Sequence, residues 1–156
     1  MRRQLGLSLA VAAAFFLAPA PSAKAEHVFL NLMSGFQEIP PNESPGFGLG
    51  LYVLSDDLTS LDFVKAWVDV IGGTCVGAHF HRAPAGVNGP IVRGYDPALF
   101  ATPAGALVSS WRRGDAQSLT EALVMEMFLN NIYFNIHTQR WPGGEIRGQL
   151  LYFFSY

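Results

Sequence analysis

The chain has 156 residues, with 10 Lys and Arg against 12 Asp and Glu, and a formal net charge of -2. That balance, without a basic run beyond the first residues, excludes an electrostatic binder of nucleic acid or of an anionic membrane, and the length predicts one domain. Cys75 is the single cysteine, which excludes an internal disulfide and leaves stability to the core, with or without a metal.

The opening segment reads as an export leader. Arg2 and Arg3 form a basic start, residues 5–18 are apolar but short for a bilayer span, and Ala23-Lys24-Ala25 is a small-x-small cleavage site. The expected division is a cleaved leader over residues 1–25 and one domain over 26–156. The mature protein is then periplasmic or extracellular, with no membrane span. A retained anchor is disfavoured by Pro19 and Pro21, which interrupt the segment.

Residues 27–36 predict a first strand, with Val28, Leu30 and Leu32 on one face. Pro40, Pro41 and Pro45 make the next stretch a rigid loop. Residues 47–53 then alternate Phe47, Leu49, Leu51 and Val53 against Gly48, Gly50 and Tyr52, a strand with a glycine-rich face. After a turn at 55–60, residues 61–71 predict a long strand. Val64, Ala66, Val68 and Val70 take one face; Phe63, Lys65, Trp67 and Asp69 take the other. The two strands read as a hairpin.

Gly72-Gly73 leads into a strand carrying Ala78-His79-Phe80-His81. Alternation puts His79 and His81 on one face with Cys75 and Gly77, and Val76, Ala78 and Phe80 on the other. Burial is expected of the Cys75 thiol. Residues 82–90 form a loop, in which Asn88-Gly89 favours left-handed backbone. Short strands are expected over 91–95 and 106–112. Ser118 and Glu121 match a capping box and predict the one helix, running to about residue 130. It feeds a strand over 132–138 with Ile132, Phe134 and Ile136 on an apolar face and Tyr133, Asn135 and His137 opposite. Residues 139–144 are a hairpin loop, and 145–154 form the last strand, its end at 150–154 read as core. Many short strands, with 16 Gly and 10 Pro, argue an antiparallel sandwich or barrel.

Three of the 4 His therefore fall on polar faces of otherwise apolar strands. If those strands are neighbours, His79, His81 and His137 gather outside the core as a site suited to copper or zinc. Three protein ligands leave a fourth position open, as in catalytic zinc sites. Binding by neutral imidazole should fail as pH drops through the histidine range near about 6.5. The register expected for the closing hairpin sets His137 opposite Glu145, Asn135 opposite Arg147 and Tyr133 opposite Gln149, with Ile146 and Leu150 inward. Glu145, Arg147 and Asn135 then surround the histidines. Glu145 is placed to orient a ring through its second nitrogen, and Arg147 to attract a small anion. The alternative reading is a non-catalytic binding or structural module without metal, in which Trp141, Trp67 and Phe36 form a contact surface. No Ser-His-Asp set, phosphate loop or nucleotide motif is visible.

The ordered motifs Ser34-Gly35-Phe36-Gln37-Glu38-Ile39-Pro40-Pro41, Ala78-His79-Phe80-His81, Asn88-Gly89-Pro90 and Asn135-Ile136-His137-Thr138, the last continuing through Pro142-Gly143-Gly144-Glu145-Ile146-Arg147-Gly148-Gln149-Leu150, resemble the CHRD domain. That family is named after chordin and is common in exported bacterial proteins. The resemblance covers essentially all of residues 26–156. It implies an immunoglobulin-like β-barrel with a limited similarity to copper/zinc superoxide dismutases, which agrees with the antiparallel sandwich or barrel with one short helix read from the residues. It implies no settled biochemical function, and it marks His79, His81, His137, Glu145 and Arg147. By that analogy a copper ion would act on a small anionic oxidant such as superoxide. A full dismutase site needs a fourth histidine, and only His27 remains, at the start of the domain.

Overall fold

A computed structural model describes residues 26–156; the leader expected over 1–25 lies outside the described residues. The strands are β1 (His27–Ser34), β2 (Phe47–Leu54), β3 (Ser60–Val68), β4 (Cys75–Arg82), β5 (Ile91–Tyr95), β6 (Gly105–Arg112), β7 (Ile132–Thr138), β8 (Ile146–Gln149) and β9 (Leu151–Ser155). One α-helix, α1 (Glu121–Phe128), joins β6 to β7. All pairings are antiparallel, in the order β5-β4-β7-β8-β1-β2-β3-β6, with β9 added beside β1. The all-β architecture with one short helix is the one expected.

The sheet curls until its edges, β5 and β6, come within side-chain reach. Their backbones do not pair; side chains bridge the seam instead. Arg93 of β5 pairs with Asp115 and donates to the Ser110 carbonyl of β6 at 3.0 Å. Gln117 accepts from the Gly94 N–H at 2.9 Å. Aromatic side chains fill the trough, with Phe80 stacked on Trp111 at 5.1 Å. The helix adds Leu123, Val124 and Met127 to this core. Its cap is Thr120, whose hydroxyl accepts from the Leu123 N–H, and not Ser118, whose hydroxyl donates to the Arg113 carbonyl.

Three strands bury the face opposite to the one their aliphatic residues suggest. In β3, Leu61, Phe63, Lys65 and Trp67 point inward while Val64 and Val68 face solvent. In β2, Gly48, Gly50, Tyr52 and Leu54 point inward and Phe47, Leu49 and Leu51 outward. β1 likewise buries Phe29, Asn31 and Met33 and leaves Leu32 exposed. Rings decide the choice. Phe63, Trp67, Tyr52 and Phe29 each hide about 150–250 Å² when buried, more than the valines they displace. The small face of β2 leaves room for them: a Cβ on Gly48 would sit 2.3 Å from the Met33 methyl, and one on Gly50 2.6 Å from the Tyr52 hydroxyl. Lys65 is carried inside with this face.

The last strand is also corrected. Leu150 is core and donates its N–H to the Ile132 carbonyl, but β9 from Leu151 onward is exposed. There the chain leaves β7 and pairs with β1 only; Phe128 of α1 meets Tyr152 on one side, and Leu151 and Phe153 on the other stay exposed.

Candidate metal centre

β4 and β7 lie side by side, with Gly77 opposite His137, His79 opposite Asn135 and His81 opposite Tyr133. His79 and His137 are thus diagonal neighbours across the pair, a position within reach of ring side chains. Their ring centroids are 4.9 Å apart; His79–His81 and His81–His137 measure 5.5 and 6.1 Å. One ring nitrogen from each of the three lies within 4.8 Å of the others. Glycine makes this approach possible: a Cβ on Gly77 would stand 2.5 Å from His79 Cε1. The expected alternation holds from Gly77 to His81. A bulge between Cys75 and Gly77 turns Cys75 away from the histidines and into the core.

The histidines do not lie bare on the outside, as alternation alone suggested. His81 is only 8% exposed. Its Nδ1 lies 2.9 Å from the Gly89 carbonyl. A carbonyl only accepts, so Nδ1 carries the proton and Nε2 keeps its lone pair. That Nε2 is buried and has no partner, and neither has His79 Nδ1. His137 is held the same way through Nδ1 and the Pro142 carbonyl at 3.0 Å. Its Nε2 lone pair then faces Asn135 Oδ1 at 2.9 Å. Two acceptors repel at that distance, and either a cation between them or a turned amide relieves the contact.

Burial first, then the neighbouring His137 and His81 rings, pushes His79 down to about 4. Burial also lowers His81, against the opposing hydrogen bond to Gly89, and lowers His137. All three rings are therefore neutral at pH 7, the form that ligates.

The predicted register of β7 and β8 is observed: Tyr133 opposite Gln149, Asn135 opposite Arg147, Ile136 opposite Ile146. The roles expected of Glu145 and Arg147 are different from those drawn from it. The Glu145 carboxylate is fully buried and accepts from Ser44 Oγ, the Ile71 and Gly72 N–H groups and Thr138 Oγ1, at 2.7–3.2 Å. It clamps the loops beneath the site and meets no histidine nitrogen. Arg147 is 2% exposed. It donates to Asn88 Oδ1 at 2.9 Å and to the Val87 carbonyl at 2.6 Å, and lies 3.4 Å over the Tyr133 ring. Tyr133 in turn stacks on His81, 4.7 Å between centroids and 3° from parallel. The guanidinium thus fixes the 82–90 loop and His81 and is not free to draw in an anion.

Glu38, in the proline-rich loop, joins the site although strand alternation does not place it there. It is buried beside Arg147 and Asn135, and burial raises its carboxyl to about 8 against the lowering pull of Arg147. An acid among Ile39, Pro40 and Pro41 was the available signal. His27 sits apart at the head of β1, edge-on to Phe128, so the cluster has three histidines. Of the proposed contact aromatics, Trp67 is core, with its Nε1 donating to the Thr102 carbonyl; Phe36 is exposed. Among the described residues no helix is long and apolar enough to cross a membrane.

The family model described as the CHRD domain matches residues 29–150. Among curated proteins and among solved structures no match was found.

Proposed function

The chain belongs to the CHRD domain family, and from that premise we propose that His79, His81 and His137 hold one copper or zinc ion on the outer face of the β4–β7 pair. The observation that carries this is the set of three neutral ring nitrogens within 4.8 Å of one another, two of the rings having a buried nitrogen without a partner. Burying a polar atom unpaired is costly, and a metal removes the cost at both. Tetrahedral ligation at about 2.0–2.1 Å needs the nitrogens to close in to roughly 3.4 Å, a movement within the reach of His79, whose ring no hydrogen bond restrains at Nδ1.

Copper in this position supplies one-electron chemistry for a small oxidant such as superoxide, and zinc supplies a Lewis acid. What the chain itself does is specific. Gly89 and Pro142 carbonyls set the tautomers, Tyr133 and Arg147 hold the His81 plane, and the 82–90 loop limits water. The leader is removed before Glu26, and the protein works in the periplasm or outside the cell. An intact mass that retained Met1 would contradict that part.

The test is elemental analysis of untagged protein from its own compartment, followed by titration of copper and zinc. One equivalent is expected to bind. His81→Ala should weaken binding by at least about a hundredfold, the scale of losing a ligand that second-shell changes alone cost at 10–100-fold. Unchanged affinity in that variant sinks the proposal.

A further inference from the structure

The inverted strands leave one side of the barrel with an outer face unlike a solvated surface. Register across five strands aligns Val108, Val64, Leu51, Leu30 and Leu151 in one row. The next row is Ala106, Ala66, Leu49 and Leu32. Neither row contains a charged or polar side chain. Val108 is 79% exposed and Phe153, at the β9 end, 63%. The exposed apolar side chains of this face present on the order of 800 Å², one partner's share of a standard interface and more than the few hundred Å² usual on a monomer.

We infer that this face of β6-β3-β2-β1-β9 is the contact between two copies of the chain, packed sheet on sheet. Three features favour a second copy over other occupants. Apolar sheet faces bury each other at about 10 Å separation in aligned packing. A two-fold contact sets a patch against itself, which brings like charges together on most surfaces; here the two rows hold none, and the nearest charges, Asp62 and Arg112, pair with each other at 3.3 Å. A lipid surface would be met by free basic side chains at the rim, yet of the two basic residues of these strands Lys65 is inside and Arg112 is paired with Asp62. The arrangement leaves both histidine clusters free, since β4 and β7 belong to the other half of the sheet.

Sedimentation equilibrium of the exported protein, from low micromolar to submillimolar concentration, tests this. The expected weight-average mass approaches twice that of the chain. Val64→Glu places a charge within the first row and should weaken dimerisation at least about a hundredfold, with the metal titration unchanged. Should that variant fail to fold, Leu51→Cys serves: its maleimide labelling should slow at least tenfold as concentration rises through the dimer range, and buried Cys75 does not compete. A monomer at all concentrations overturns the inference, whether or not it then floats with phosphatidylcholine vesicles. So does a dimer that persists in Val64→Glu, or Leu51→Cys labelling independent of concentration.

Discussion

Lys65 shows most directly what a single residue costs this fold. Its ammonium position is fully buried, 3.5–4.1 Å from the centroids of Phe134, Phe80 and Phe63, with no hydrogen-bond partner. Desolvation holds it well below the ordinary value of 10.5. Between that lowered folded value and about 10.5 the folded chain holds Lys65 neutral while the unfolded chain carries the proton, so stability rises with pH through that window. This contribution amounts to about 1.4 kcal/mol per pH unit in that window. Lys65→Met, similar in length and apolar, should raise stability at pH 7 by at least about 1 kcal/mol and flatten the slope; urea melts at several pH values measure both. Glu38 works with the opposite sign. Its folded value of about 8 lies above the usual 4.5, so its neutral form is retained on folding and stability is lost as pH rises from 4.5 towards 8. Glu38→Gln should remove that loss and gain stability relative to the parent at pH 8.

At the scale of elements, β4 and β7 build the cluster and the 82–90 loop closes it. The close diagonal approach of His79 and His137 depends on Gly77, because a side chain there would push the His79 ring out. Gly77→Ala should leave the melting curve within about 1 kcal/mol of the parent, since the residue lies at a strand position, yet lower metal affinity at least about tenfold by isothermal titration. The loop is held by Arg147 through Val87 and Asn88, and by the Gly89 N–H donating to the Tyr133 hydroxyl at 3.1 Å. Arg147→Lys keeps the charge and loses the planar stack and paired donors. Faster amide exchange across 83–89 is expected, with weaker metal binding.

For the molecule as a whole, the cluster couples metal, protons and folding. The three rings are less basic than free histidine, His79 reaching about 4. Proton competition is therefore expected below the histidine range near 6.5. Copper or zinc should be released as pH falls below the histidine range, with the His79 nitrogen competing for protons only towards about 4. Without metal, the unfolded chain takes up protons below about 6.5 that the folded cluster refuses, so stability falls as pH drops through that interval. At a hundredfold excess over its dissociation constant, metal should add about 2.7 kcal/mol, and His81→Ala should cut this increment to about 0.4 kcal/mol or less at the same metal concentration. Thermal melts with and without chelator, at pH 7 and pH 4, read out every part.

Local pattern was enough for the antiparallel β class, the α1 helix, the pairing of β7 with β8 and the three histidines, because each follows from alternation, turn residues or hairpin length within a short stretch. His79 and His81 share a face by geometry alone, and Ile132, Phe134 and Ile136 leave His137 only one side. Which face of β1, β2 and β3 is buried was not local. Val64 and Lys65 are both legible as strand residues, but the choice between their faces depends on which rings Phe80, Trp111 and Phe134 bring from distant strands into the same trough. Tertiary packing likewise assigned Arg147 to Tyr133, Glu145 to Ser44 and Thr138, and Glu38 to the edge of the cluster. Ser44 lies 101 residues from Glu145, and even the nearer Thr138 and Tyr133 meet their partners only across a folded strand pair; a buried charge is placed by the groups that surround it in space.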